Sequence, residues 1–494
     1  MNRRHRPPYW ALVAFAALLV APPWATAAIA GVALGVGVLR AGWFLAGRAR
    51  PRAMPEDAIV LGTGLAGGRR WITERDLGSH GLIVGASGAG KTTSLLTILG
   101  QLIKRGRPVI VIDMKGSPSF ARALEQAAVT AGRPFKLWTP DGPGRWNPLQ
   151  YGNPTELKDK LIGSERFTEP HYQRAAERFV LNVLQVLDQA HPERRPTLAE
   201  VVRLMDPRRL AVSLRDVPQT LAERVQDYLA GLTPDQVSAI RGLQTRLAIV
   251  TESHTGRYLE PERAAADDTI DVRRALSGPE VVLFSLNTSI YGKLAAQLGT
   301  LAVQDLICAT GQRLQGRALG SQRDLAVVAI DESSVLGDQL ITLFARGREA
   351  GVGALAVTQE LVDFDRISHG LRDQVLGNTA LKLAHRQEVP SSAQTIAEIA
   401  GTEKAWDMTE QVGGSLVSGY SNGRGTRREV ERFVVHPNEI KALRTGEAVL
   451  ISKLRGERAQ VVRVMPAERG PSVSRAAPAR AADRPLERDA PGLS

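Results

Sequence analysis

The sequence predicts an α/β fold with a mostly parallel sheet, interrupted by an all-α insertion and preceded by an N-terminal transmembrane helical hairpin. Three observations support this prediction. Apolar strand patterns alternate with helical patterns, a glycine-rich phosphate loop joins the first such strand to its helix, and a long uncharged run lies near the N-terminus. Continuous apolar strands separated by helices are typical of a parallel sheet covered on both faces.

The uncharged run extends from Pro7 to Leu39, and Pro22-Pro23 interrupts it near its middle. At ~1.5 Å per residue it is too long for one crossing of a ~30 Å hydrocarbon core, and two crossings fit if the second continues through Trp43-Phe44-Leu45. Basic residues flank the run on both sides: Arg3, Arg4 and Arg6 before it, and Arg48, Arg50 and Arg52 after it. The positive-inside rule therefore predicts a two-span anchor at 1–47 in the cell membrane, with the following domains in the cytoplasm.

Two other interpretations of this segment stay open. Arg3-Arg4, the apolar run and Ala25-Thr26-Ala27 also resemble a cleaved secretory signal peptide. Export would separate the chain from the cytoplasmic nucleotide that the next segment is predicted to bind, so we favour the anchor. The third interpretation is a single span followed by a re-entrant piece.

A complete G-x-x-x-x-G-K-[ST] phosphate loop follows, with the sequence Gly85-Ala86-Ser87-Gly88-Ala89-Gly90-Lys91-Thr92. Its glycines let successive backbone N–H groups point at phosphate oxygens, at the positive end of the next helix. Lys91 is predicted to contact the β and γ phosphates of ATP, and the Thr92 hydroxyl to bind Mg²⁺. The context supports the motif, because a strand pattern at 80–84 precedes the loop and a helical pattern at 92–103 follows it.

The nucleotide-binding domain is predicted to be split into residues 48–154 and 276–465. Strand patterns in the first part lie at 80–84, 108–113 and 135–138. Those in the second part lie at 281–286, 325–332, 354–359 and 379–383, followed by a hairpin of 447–453 and 460–464.

The segment between these parts, residues 155–275, is predicted to be an all-α insertion domain. Apolar residues recur there with helical period, strand patterns are scarce, and Thr197-Leu198-Ala199-Glu200 is a capping box. Residues 466–494 are rich in Pro, Ala and Arg and contain little to bury, so we predict a disordered tail.

A second chemical site is predicted at Asp331-Glu332, which ends a buried apolar strand. Asp331 would reach Mg²⁺ through water, and Glu332 would polarise the attacking water. Gln359 ends the next strand pattern, where its amide would sense the γ-phosphate and position that water. Hydrolysis also benefits from an arginine supplied by a neighbouring subunit. Arg346, Arg348 and Arg386 are all expected near the carboxyl-end loops of the strands, and Arg348 is the preferred candidate.

The net charge of +12 favours a polyanionic partner, either nucleic acid or an anionic lipid surface. Charge alone does not choose between them, because the arginines are spread along the chain. Cys308 is the only cysteine, which excludes a disulfide framework and a cysteine zinc site. Its apolar helical surroundings predict a buried, inert thiol.

In its ordered set of motifs the chain resembles the type IV secretion coupling proteins of conjugative DNA transfer, within the FtsK-type and HerA-type branch of RecA-like motor ATPases. The similar segments, besides the phosphate loop and the two-span N-terminus, are 111–116, 145–149, 329–332, 346–348 with 358–359, 377–379 and 399–402. Met114 departs from the family pattern in the first of these segments, and the first membrane span is short.

The resemblance implies a RecA-like P-loop ATPase that forms a membrane-anchored ring, predicted to be a homo-hexamer, and that uses ATP and Mg²⁺. It also implies a DNA cargo, with single-stranded DNA favoured, delivered by a relaxase-type nucleoprotein to the proteins of a secretion channel. The all-α insertion would then help to select DNA or relaxase.

Two alternatives to a coupling protein remain at this point. One is an FtsK-type motor for double-stranded DNA that serves no secretion channel. The other is a membrane docking adaptor in which nucleotide binding gates assembly without processive turnover. Intact Lys91, Asp331, Glu332 and Gln359 favour a motor over the adaptor.

Overall fold

The computed structural model describes residues 54–165, 167, 169–260, 269–316, 324–415 and 418–466. The predicted transmembrane hairpin and, from residue 467 onward, the predicted tail lie outside these residues. Within the described ranges, no helix is both long enough and apolar enough to cross a membrane. The elements below belong to the unit that begins at Asp57.

The core of this unit is an eleven-stranded sheet. Its strands are β1 (Ala58–Gly64), β2 (Arg69–Thr73), β3 (Gly81–Val84), β4 (Val109–Asp113), β5 (Phe135–Trp138), β8 (Val281–Ser285), β9 (Ala326–Asp331), β10 (Val352–Thr358), β11 (Leu381–Ala384), β14 (Glu447–Ser452) and β15 (Gln460–Val464). Across the sheet these strands follow the order β2-β1-β15-β14-β11-β3-β10-β9-β4-β8-β5.

The seven strands from β11 to β5 are parallel, and β14, β15, β1 and β2 extend the sheet antiparallel beyond β11. The mostly parallel sheet predicted from the apolar runs is therefore confirmed. The predicted late hairpin is also present, as the antiparallel pair β14 and β15. Strands β1 and β2 have no counterpart in the sequence-based prediction.

Helices cover both faces of the sheet. Their bounds are α1 (Glu74–Gly78), α2 (Lys91–Lys104), α3 (Pro118–Thr130), α4 (Pro154–Gly163), α5 (Pro170–Ala190), α6 (Leu198–Leu204), α7 (Pro207–Ser213), α8 (Gln219–Ala230), α9 (Pro234–Thr251), α10 (Val272–Ala275), α11 (Thr288–Gln315), α12 (Gln339–Gly347), α13 (Val362–Asp365), α14 (Leu371–Asn378), α15 (Pro390–Ala400) and α16 (Pro437–Lys441).

Alternation along the buried strands divides the core into two layers. Ile83 of β3 faces the layer that contains α2 and α3, whereas Leu82 and Val84 face the layer that contains α11 and α12. The helices between α4 and α10 contribute to this second layer, so the helical segment and the sheet share one continuous apolar core. The capping box predicted at Thr197 is present at the start of α6.

Two small sheets lie outside the main one. Strands β6 (Arg145–Trp146) and β7 (Thr269–Ile270) pair in parallel next to the helical segment. Strands β12 (Thr402–Ser415) and β13 (Ser418–Phe433) form a long antiparallel ribbon, which the sequence did not predict.

Candidate active site

The phosphate loop spans the turn between β3 and α2, at the carboxyl edge of the parallel sheet. Neighbouring strand ends hold its first residues: Gly85 N–H donates to Gln359 O at 3.1 Å, and Ala86 N–H donates to Arg386 O at 2.8 Å. Gln359 directly follows β10 and Arg386 is the second residue after β11, and these two parallel strands flank β3. The sheet therefore fixes the entrance of the loop from two sides.

The middle of the loop faces outward. Ser87, Gly88 and Thr92 are exposed, and Gly88 and Gly90 adopt left-handed φ values of 72° and 114°. The first N–H groups of α2 have no carbonyl within the helix to donate to. An outward-facing glycine-rich loop at the positive end of a fourteen-residue helix fits the oxygens of a polyphosphate.

Lys91 is buried and folds back onto its own loop. Its Nζ donates to Gly85 O and, at 3.0 Å, to Ala86 O. Burial lowers the pKa of Lys91, the nearby charge of Lys115 lowers it further, and Asp331 and Glu332 oppose the change. To contact a phosphate, the ammonium group must exchange these carbonyls for phosphate oxygens.

The predicted acidic pair lies beside the loop, at the end of β9. Lys115 Nζ is 3.3 Å from Asp331 Oδ2 and 3.7 Å from Glu332 Oε1, so one lysine ties the two carboxylates together. Asp113 stands in register with Asp331 on the adjacent strand β4. It accepts the N–H groups of Lys115 and Ser117 at 2.9 and 2.8 Å, which shapes the turn that carries Lys115.

Gln359 and Glu332, which follow the neighbouring parallel strands β10 and β9, are in direct contact. Gln359 Nε2 donates to Glu332 Oε1 at 3.2 Å. Glu332 has a φ of 55°, a left-handed conformation that is unusual for a glutamate. Held by an amide and a lysine, its carboxylate has a fixed orientation beside the phosphate loop.

A buried histidine, which no sequence motif marked, supports the loop from behind. His385 Nδ1–H donates to Glu447 O at 2.9 Å, which leaves Nε2 to accept the Ser94 hydroxyl at 2.9 Å. Burial lowers the pKa of His385 to about 4, the carbonyl of Glu447 opposes this change, and the charge of Lys91 adds to it. A Cβ at Gly85 would lie 2.5 Å from the Cβ of His385, so the imidazole fills the space beneath the loop.

The three candidate arginines occupy two different edges of the sheet. Arg386 follows β11 at the carboxyl edge, beside the loop, where its guanidinium lies 3.4 Å from Glu388. Arg346 lies in the last turn of α12, Arg348 is the C-cap of that helix, and the chain then leads into β10 at Val352; both arginines are exposed at the amino edge. The expected position of Arg346 and Arg348 near the carboxyl-end loops is therefore wrong, because the end of a helix that leads into a parallel strand lies at the strand's amino end.

Arg348 is separated from the phosphate loop of its own chain by the length of a strand. At ~3.3 Å per residue, the seven residues of β10 span roughly 20 Å. His80, at the amino end of β3, holds this region, because its Nε2–H donates to Phe344 O at 2.9 Å. Burial lowers the pKa of His80 to about 4, the bond to Phe344 opposes this change, and the charge of Arg348 adds to it.

The oxygen groups present fit a phosphate-bound magnesium ion. In the part of the chain that the structure describes, no group of three or more His, Cys, Asp or Glu side chains could hold a metal by itself. Mg²⁺ commonly binds through one or two protein oxygens together with substrate phosphates and water. The exposed Thr92 hydroxyl and the Asp331 carboxylate offer that kind of incomplete ligand set.

The family model for the central domain of the HerA helicase matches residues 72–162, a segment that contains the phosphate loop. No curated protein matches the chain. Among solved structures, the bacterial conjugative coupling protein TrwB lacking its N-terminal 70 residues has a TM-score of 0.62 at 13% identity, covering 85% of this chain and 91% of that one. TrwB with ADP and Mg²⁺ gives 0.59 at 13% identity, covering 85% and 91%.

VirB4 of Thermoanaerobacter pseudethanolicus also matches, with a TM-score of 0.53 at 15% identity, covering 84% of this chain and 97% of that one. Fold and site together define the class of protein: a P-loop ATPase with a RecA-like α/β domain. Within this class the chain has the fold shared by a conjugative coupling protein and VirB4. The resemblance inferred from the sequence motifs is confirmed at the level of the fold.

Proposed function

We propose that the chain hydrolyses ATP to move DNA as the membrane-anchored coupling protein of a type IV secretion or conjugation system. The observation that carries this proposal is the convergence of the phosphate loop, Asp331, Glu332 and Gln359 at one edge of a TrwB-like sheet. The proposal extends to a two-span membrane anchor at 1–47, a relaxase-type nucleoprotein substrate and the proteins of a secretion channel. TrwB is a bacterial conjugative coupling protein, and the likeness of its fold to this one supports the assignment.

The chemistry assigned to the site is hydrolysis of ATP: water attacks the γ-phosphorus, the bond from that phosphorus to the β–γ bridging oxygen breaks, and ADP and inorganic phosphate are released. Thr92 and Asp331 would hold Mg²⁺, which neutralises charge on the β and γ phosphates when bound. Glu332 orients and polarises the attacking water, and the amide of Gln359 keeps the Glu332 carboxylate in place. Lys91 leaves the carbonyls of Gly85 and Ala86 and donates to phosphate oxygens instead.

Arg348 is assigned to the site of a neighbouring subunit. Arg348 lies about the length of a strand from the phosphate loop of its own chain, so its side chain cannot reach the ATP site of that chain. A cation that meets the transition-state charge in trans is worth roughly 10³–10⁵ in rate in related P-loop enzymes. This assignment requires a ring of subunits, and a homo-hexamer is the proposed form.

Coupling of hydrolysis to DNA is tested by measuring ATP turnover of the full chain in detergent, with and without single- or double-stranded DNA. Lys91→Ala should abolish turnover, whereas Lys441→Ala, at an exposed lysine on α16, should leave it unchanged. Glu332→Gln should slow turnover roughly 10²–10⁴-fold while nucleotide binding persists. Unchanged hydrolysis in the Lys91 variant would rule out the motor.

The response of ATP turnover to DNA tests whether the chain is a coupling protein. Stimulation by single-stranded DNA at low salt supports a coupling protein, and stimulation only by duplex DNA would transfer the assignment to an FtsK-type motor. Turnover that no DNA stimulates at low salt, where phosphate contacts are strongest, would favour the docking adaptor.

The role of Arg348 in trans is tested by mixing two inactive variants. Lys91→Ala subunits retain Arg348, and Arg348→Ala subunits retain an intact loop, so mixed rings contain some complete sites. Activity that reappears on mixing supports a contribution in trans, and Arg386→Ala in place of Arg348→Ala provides the comparison for a residue beside its own loop. Full activity of Arg348→Ala alone would refute the assignment.

A further inference from the structure

An exposed segment with apolar, aromatic and basic side chains follows β8 at the carboxyl edge of the sheet, in the first turn and a half of α11. Ile290 is 72% exposed, Lys293 is exposed, and Tyr291 lies between them, half-buried. Gly292 interrupts the start of α11 with φ 47° and ψ −115°, a conformation open to glycine and strained for other residues. The break separates Ile290 and Tyr291 from the continuous part of the helix, which Lys293 begins.

A second group of aromatic and basic side chains lies next to it. Tyr258 packs on Gly142, where an added Cβ would lie 2.2 Å from the ring. The guanidinium of Arg257 lies 5.0 Å from the centre of the Tyr258 ring, and that of Arg145 lies 5.8 Å from it. Arg257 is exposed and contacts His254 at 2.8 Å. Such alternation of arginine and aromatic rings is typical of surfaces that bind single-stranded nucleic acid.

Asp141 joins the two groups into one surface. The Tyr291 hydroxyl donates to Asp141 Oδ1, and His254 Nε2 lies 3.9 Å from the same oxygen. Asp141 follows β5 and Tyr291 follows β8, and these strands are neighbours in the sheet. Arg257 and Lys293 are the exposed cations of the two groups. We call residues 257–258 and 290–293 the Tyr258–Lys293 patch.

Backbone hydrogen bonds connect this patch to the acidic pair of the ATP site. Leu286 N–H donates to Asp113 O at 2.9 Å, and Thr288 N–H donates to Met114 O at 2.8 Å. The next residue, Lys115, holds both Asp331 and Glu332. A displacement of the loop after β8 would thus be passed through a single turn to the residues that orient the attacking water.

We propose that the Tyr258–Lys293 patch binds a single strand of DNA and reports its presence to the ATP site. Arg257 and Lys293 would contact phosphates, and Tyr291 with Ile290 would contact base faces, which a duplex keeps stacked inside. The proposal rests on the function proposed above and names the surface through which that cargo acts. It also gives a role to Arg145, whose guanidinium supports Tyr258 and bonds to Glu260 O at 3.1 Å.

Binding of a fluorescent oligo-dT by the full chain, measured at several salt concentrations, tests the contact. Lys293→Ala and Arg257→Ala should each weaken binding and reduce the slope of log affinity against log salt by about 0.7, the value for one phosphate contact to a single strand. Tyr291→Leu should weaken binding roughly fivefold or more without changing that slope. Arg241→Ala, at an exposed arginine on α9, is the matched control.

ATP turnover distinguishes failure of this inference from failure of the proposed function. We expect all four variants to keep the basal turnover of the parent, because none belongs to the ATP site, and only the three patch variants to lose stimulation by oligo-dT. Patch variants that are stimulated like the parent would overturn the inference while leaving the motor intact. Poly-glutamate that competes as well as oligo-dT would also overturn it, whereas absence of any turnover in the parent would refute the function itself.

Discussion

Protonation of His385 is expected to couple the stability of the folded chain to pH. The imidazole is fully buried and donates through Nδ1 while it accepts through Nε2, so the structure uses the neutral form. A second proton on Nε2 would turn the acceptor of the Ser94 hydroxyl into a donor and place a charge in the core near Lys91. Acidification should therefore lower the free energy of unfolding of the chain.

The sign and size of this stability change follow from the pKa of His385 in the unfolded chain and in the folded chain. Burial lowers the pKa from 6.5 to about 4 in the folded chain, so between these values the unfolded chain binds more protons than the folded one. The contribution of His385 to stability is complete above pH 6.5 and is lost as pH falls toward 4. Its full extent is about 3 kcal/mol, and about 2 kcal/mol of this is lost between pH 7 and pH 5.

Urea unfolding of the parent and of His385→Asn at pH 7 and pH 5 measures this contribution. Asparagine can still donate to Glu447 O but does not titrate, so its variant should lose about 2 kcal/mol less than the parent over this interval. His369→Asn, at an exposed histidine, controls for removal of an imidazole. An equal loss in the parent and in His385→Asn would refute the buried neutral histidine.

Two further predictions concern packing. Gly85→Ala should weaken nucleotide binding and lower stability, because the new Cβ would lie 2.5 Å from that of His385. Gly100→Ala, whose Cβ would meet no atom within 4 Å beyond the adjoining backbone of its own helix, should be neutral or stabilising by up to ~1 kcal/mol. Equal effects in calorimetry would contradict the close contact. Asp305→Ala should cost about 3–5 kcal/mol in urea unfolding because it leaves the Lys160 ammonium, 2.7 Å away, buried without its partner. Joint replacement by Lys160→Met and Asp305→Leu should recover only part of that loss, because the buried Trp146 Nε1–H, which donates to Asp305 Oδ2 at 2.9 Å, loses its acceptor. A single-variant cost below ~1 kcal/mol would contradict the prediction.

The parallel strands and the phosphate loop were predictable because each has a local signature. Continuous apolar runs mark the strands, and glycine spacing marks the loop between β3 and α2. The sequence also predicted that Asp331-Glu332 and Gln359 end two successive strands, but it did not predict that Gln359 contacts Glu332. Contacts between distant side chains have no local signature in the sequence. The contact of Ser94 with His385 joins residues 291 positions apart, and that of Lys115 with Asp331 joins residues 216 positions apart.

The β12–β13 ribbon escaped prediction for a different reason. Its two strands, 402–415 and 418–433, are rich in glycine, serine and charged residues, and lack the alternation that a half-buried strand shows. Trp406 illustrates the difference, since it is 53% exposed and its ring contacts Arg427 rather than the core. A ribbon whose register is set by its own backbone pairing leaves no apolar period in the sequence.

The position of Arg348 at the amino edge of the sheet, opposite the edge that was predicted, constrains how subunits must meet in an oligomer. Arg348 precedes β10, and Gln359 directly follows it, so one strand separates the proposed arginine from the amide beside the acidic pair. No side chain reaches across roughly 20 Å, whereas a neighbouring copy that presents its amino edge to this carboxyl edge brings the two together. If Arg348 contributes to hydrolysis, the active site is complete only between subunits. Turnover per subunit should then rise steeply with protein concentration, and turnover that is proportional to concentration down to the monomer would exclude Arg348 from the reaction.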